Sequence, residues 1–159
     1  MLSVYVPQGN CLERRDVTAT APLPENGVWF DLVSPTITED KLLERHLGIA
    51  VPTREEMLEI EVTSRLYVEN GARYMTATMM CQSDTETPKT TAVPFILSGH
   101  RLITVRYDEP KPFTIVGNKL CRTSPAGLVP SRLRSSKIRA ASSSTICVLM
   151  SASGRTSLG

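Results

Sequence analysis

Asn70-Gly71 constrains this chain more than any other dipeptide in it. Both central positions of a type I′ turn need positive φ, and Asn-Gly is the pair that supplies it most cheaply. The turn therefore dictates two antiparallel strands, Arg65 to Glu69 going out and Ala72 to Cys81 coming back. A second pair follows: Thr90 to Ser98 and Arg101 to Tyr107, joined at Gly99-His100. Pro94 interrupts the first of these and predicts an edge position or a bulge, because proline cannot donate to a ladder.

Upstream the pattern changes from strand to helix. Met1 to Val6 alternates as a first strand, Gln8 to Asn26 is polar with an Arg14-Arg15 pair, and Val28 to Val33 is a short apolar strand. Thr36-Ile37-Thr38-Glu39 has the form of a capping box, with Asp40 adding to an acidic first turn. Ile37, Leu43 and Leu47 give a core stripe, and Gly48 suits the position after a helix. Thr53-Arg54-Glu55-Glu56 is a second capping box. Met57, Leu58 and Ile60 form its narrow apolar side. Glu55, Glu56 and Glu59 fall within about a third of a turn of one another and form an acidic edge. Glu61 ends that helix. The reading is an α/β (α+β) fold, in which four strands in succession after residue 64 argue for a largely antiparallel portion.

Charge divides the chain in two. All 16 acidic residues lie at or before Glu109, and residues 1–118 carry a net −5. Residues 119–159 hold seven basic residues and no acid. The seam lies near Phe113 to Lys119, so residues 1–116 are expected to be the folded domain. Residues 117–159 are expected to be a Ser/Arg-rich tail, disordered or translated out of frame after a change near residues 113–123. No window approaches the roughly 18 to 20 apolar residues that span a bilayer. The N-terminus has no basic-then-apolar signal pattern, so a soluble, cytoplasmic chain is expected.

The motifs PTREEMLEIEVTSRLY and ENGARYMTAT resemble the cytosolic N-terminal domain of CorA-type divalent-cation (magnesium and cobalt) transporters. Trp29-Phe30-Asp31-Leu32 with Pro35-Thr36, Pro94-Phe95-Ile96-Leu97 and Leu102 to Tyr107 keep the same order as in that family. The resemblance covers about residues 1–116 and implies a mixed sheet flanked by helices on both faces. It implies a domain that senses cytosolic Mg²⁺ and belongs to a homo-pentamer in the inner membrane. It also implies that Glu56, with Glu55 beside it, is one half of a regulatory cation site whose other half is an acidic residue of a stalk. The stalk and membrane helices have no counterpart here, so no transport is expected from this chain alone. The alternative is a free-standing binding or regulatory module that reuses the fold.

Other constellations read blandly. Cys11, Cys81, Cys121 and Cys147 are scattered, with no CxxC pair, and fit packing positions. His46 and His100 have no ligand or triad partners at useful spacing, and Trp29 reads as a core or interface anchor. Arg65, Arg73, Arg101 and Arg106 read as solvated strand charges paired with Glu69 or Asp108. No nucleophile–base pair, phosphate-cradling loop or catalytic metal spacing is present, so no enzyme is expected. The basic tail has no aromatic platform for single strands, so no specific nucleic acid is expected.

Overall fold

The computed structural model describes residues 1–59, 66–82 and 87–121. The strands are β1 (Leu2–Gln8), β2 (Cys11–Val17), β3 (Trp29–Val33), β4 (Leu66–Glu69), β5 (Ala72–Cys81), β6 (Lys89–Ser98) and β7 (Arg101–Arg106). The helices are α1 (Ile37–Leu47), α2 (Arg54–Glu59) and α3 (Lys111–Cys121). They build one seven-stranded sheet in the order β2-β1-β3-β7-β6-β5-β4. β3 and β7 run parallel and the other pairs antiparallel, so the sheet is mixed and largely antiparallel, as the sequence predicts.

Side-chain alternation splits the apolar residues between two faces. Val4, Phe30, Leu32, Tyr74, Ile96 and Ile103 form one core with Leu43 of α1 and Met57 of α2. Tyr5, Trp29, Phe95 and Leu102 form the other with Phe113 and Val116 of α3. Tyr5 alternates with Val4 and Val6 on one strand, so the helices flank the sheet on both sides.

Local chemistry fixes the joints. Asn70 and Gly71 have φ of 49° and 78°, the left-handed pair that the turn requires. Thr36 caps α1 in a complete capping box with Glu39, and Gly48 closes the helix at φ 65°.

Several expectations are corrected. The polar stretch after Gln8 contains β2, an edge strand paired along its whole length with β1. An edge strand need not show an apolar alternation, so its pattern escapes a hydrophobic reading. Ile37 is 73% exposed and leaves the α1 stripe, which is Leu43 with the partly buried Leu42 and Leu47. Leu58 is 78% exposed and leaves the apolar side of α2 to Met57. Pro94 makes no bulge in an outer strand, since β6 lies inside the sheet. It pairs with Thr76 on one side, while the β6–β7 ladder begins only at Phe95 on the other, so proline interrupts no pair with β7.

α3 continues through the expected 116/117 seam to Cys121. Ile60, Glu61, Arg65, Cys147 and the tail from 122 onward lie outside the described residues, as does the side chain of Glu59.

Candidate functional site: the acidic turn of α2

The link from α1 to α2 is pinned at both ends. Gly48 N donates to Glu44 O at 2.8 Å and Val51 N donates to Glu44 Oε1 at 3.0 Å. Tyr74, reaching up from β5, takes Ala50 N at 3.0 Å and gives its own proton to Ala50 O at 3.1 Å. Ile49 and Val51 are buried between these polar anchors. α2 therefore starts from a fixed point on the sheet.

At that point Thr53 and Glu56 form the predicted capping box. Thr53 N donates to Glu56 Oε2 at 2.8 Å, and Glu56 N donates to Thr53 Oγ1 at 3.3 Å. One carboxylate oxygen of Glu56 is thus occupied by the backbone. Glu55 and Glu56 are both exposed, and adjacent helical positions sit about 100° apart. Burial raises the Tyr107 phenol, with Asp40 and Glu55 adding to the effect. Burial likewise raises Tyr67, with Tyr74, Glu69 and Glu56 adding. Arg54 lies over the Tyr107 ring at 5.2 Å, a cation–π contact that ties the first turn to the end of β7. Among the described residues, no three His, Cys, Asp or Glu side chains gather closely enough to hold a metal ion.

On the opposite face a buried polar chain runs beneath α3. Trp29 Nε1 donates to Thr104 Oγ1 at 3.0 Å, and Thr104 Oγ1 donates to Asp31 Oδ1 at 2.7 Å. Arg106 closes on Asp31 through Nε at 3.2 Å to both oxygens and through NH2 at 2.9 Å. Its remaining nitrogen donates to Asp108 O at 3.3 Å, and its guanidinium lies 4.7 Å from the centre of the Phe113 ring.

No family model matches the chain. In sequence it is similar to the magnesium transport protein CorA of Escherichia coli K12, 29% identical over 115 residues. That match covers 72% of this chain and 36% of the relative. CorA of Campylobacter jejuni is 29% identical over 119 residues, covering 69% and 36%. Over this stretch the chain is similar to CorA magnesium transport proteins. It spans about a third of the length of these curated relatives. The complete CorA magnesium transporter of Methanocaldococcus jannaschii shares the fold at a TM-score of 0.52 and 12% identity, over 80% of this chain and 40% of that one.

The arginines are placed differently from expectation. Arg106 is a half-buried partner of the buried Asp31 rather than a solvated charge paired with the Asp108 carboxylate, which instead meets Lys89 at 3.7 Å. Arg101 donates to Glu25 O at 2.8 Å. Trp29 is the core anchor the sequence suggests, 2% exposed and stacked on Tyr5 at 4.2 Å. Burial, helped by Asp31, pushes the Tyr5 phenol up to about 12, so it stays neutral. Sequence reading missed the role of the Asp31–Arg106 pair. Its signal is an acid inside the apolar run Trp29-Phe30-Asp31-Leu32-Val33. A buried acid needs a partner.

Proposed function

We propose that the chain acts as the cytosolic, divalent-cation-sensing N-terminal domain of a CorA-type magnesium and cobalt transporter, held at the cytosolic face of the cell membrane in the parent protein. The similarity to magnesium transport proteins over 72% of the chain carries this reading. Mg²⁺ prefers oxygen ligands and keeps several waters, so one or two carboxylates are enough from one subunit. Glu56 and Glu55 fit such a half-site: both are exposed, and Glu56 is oriented by its backbone clasp. The other acid ligands come from a neighbouring subunit of a homo-pentameric parent. A shared cation then bridges like-charged carboxylates, and its loss lets them repel. Among the described residues no helix is long and apolar enough to cross a membrane, which supports placing the conducting path elsewhere in the parent.

Calorimetric titration of Mg²⁺ into the full chain tests the site. Weak binding is expected, further weakened by Glu56→Gln and Glu55→Gln together. Binding unchanged by both substitutions contradicts the assignment. Vesicles containing this chain alone are expected to pass no Mg²⁺, and a measurable flux contradicts the domain reading.

A further inference from the structure

Between α3 and the sheet lies a cavity of about 100 Å³, whose lining includes Tyr5, Arg14, Asp31, Arg106, Thr114 and Asn118. It has room for about three waters, or for one small polyatomic ion. Tyr5 is 5% exposed, yet its hydroxyl has no hydrogen-bond partner among the described residues. A buried phenol ordinarily finds one. Gly117 lets the hydroxyl reach beneath α3, since a Cβ there would stand 2.8 Å from it. Burial, helped by Asp31, keeps the phenol neutral, so it can donate.

The two arginines of the lining also have protons to give. Arg14 commits Nε to Asp16 at 3.1 Å, and its terminal nitrogens have no partner among the described residues. Arg106 commits Nε and NH2 to Asp31 and NH1 to Asp108 O, and each terminal nitrogen keeps a second N–H. Asp31, the one carboxylate of the lining, is already filled. Its Oδ1 accepts from Thr104 and Arg106, and its Oδ2 accepts twice from Arg106. The cavity thus offers donors and asks for an acceptor.

We propose that this cavity binds a small oxyanion, a phosphate or a short carboxylate, held by the Tyr5 hydroxyl, the terminal nitrogens of Arg14 and the remaining N–H groups of Arg106. Thr114 and Asn118 add side-chain donors from α3. Two guanidiniums disfavour a cation here, and unpartnered donors disfavour an apolar group. The bound anion joins β1, β2 and α3. Its site lies on the face of the sheet opposite α2 and stands whether or not α2 binds a cation.

Calorimetric titration of inorganic phosphate, and separately of acetate, into the full chain tests this at constant ionic strength without Mg²⁺, with chloride as the reference. Saturable one-to-one binding of at least one oxyanion beyond the chloride response is expected, and the tighter of the two names the class. Tyr5→Phe and Arg14→Gln should each weaken it about tenfold or more, as the loss of one charge-assisted hydrogen bond does, with unchanged circular dichroism. Arg73→Gln, exposed on β5, removes the same charge and should leave the affinity unchanged. Neither oxyanion binding beyond chloride overturns the proposal. So does binding that Tyr5→Phe leaves unchanged, or that Arg73→Gln weakens as much as Arg14→Gln.

Discussion

Arg106 and Asp31 are 75 residues apart in sequence and meet with side-chain exposures of 12% and 4%. Removing one partner of such a pair strands a buried charge and costs about 3 to 5 kcal/mol. Arg106→Ala should therefore lower the urea midpoint far more than Arg73→Ala on the exposed part of β5. Gly117 makes a subtler demand. A Cβ there would sit 2.8 Å from the Tyr5 hydroxyl, and Tyr5 is stacked and buried, so it cannot swing away. Gly117→Ala should cost about 1 to 3 kcal/mol through overpacking, although alanine favours helix. Adding Tyr5→Phe should recover most of that loss, and thermal melts of the two single variants and the double variant check the coupling. Asp16 sets part of the acid limb. Its carboxyl is lowered mainly by the Ser3 hydroxyl, which donates at 2.7 Å. A carboxylate lowered on folding stabilises above its unfolded pKa of 3.8, and this stability is lost as pH falls through the lowered value. Ser3→Ala should cost about 1 kcal/mol at neutral pH. The difference from wild type should shrink towards acid, as urea titrations across pH would show. None of these three contacts was legible in the sequence. Each needs the pairing of strands, or of a strand with α3, and local patterns do not set that pairing.

Elements were more legible than contacts, because their signals are local. The Asn70-Gly71 turn and both capping boxes stand where the sequence puts them, since each is a short-range hydrogen-bond or φ requirement. β2 was lost because its charged residues mask a strand. The Gly9-Asn10 pair ahead of it is itself a two-residue turn signal. Ile37 and Leu58 were misassigned because helical spacing alone does not say how wide a stripe the sheet covers. α2 has only six residues, too few to hold itself together, so its cap matters. Thr53→Ala should loosen it by about 1 kcal/mol. Glu56→Gln should not, because glutamine serves equally at that position of a capping box. Amide exchange at Met57 and Leu58 separates the two outcomes. It also gives a variant that removes the charge of Glu56 while keeping its helix.

At the scale of the molecule, the sheet holds three helices so that α1 and α2 share one face and α3 takes the other. The acidic turn and the buried Asp31–Arg106 pair consequently lie on opposite sides. The fold class was legible because four strands in succession after residue 64 force an antiparallel half. The parallel β3–β7 contact at its centre was not, since it joins segments about 70 residues apart. The candidate site was legible as a capped acidic turn, and its anchoring was not: the Tyr74 hydroxyl that holds Ala50 comes from β5, 24 residues further along the chain. The central claim is that this turn receives a divalent cation. Paramagnetic broadening of backbone amides by Mn²⁺, followed by NMR on the full chain, tests it most directly. The account predicts that amides from Thr53 to Leu58 broaden first, that Mg²⁺ reverses the effect, and that Glu56→Gln suppresses it with α2 intact. Broadening centred elsewhere, or broadening at α2 that Glu56→Gln leaves unchanged, would contradict it.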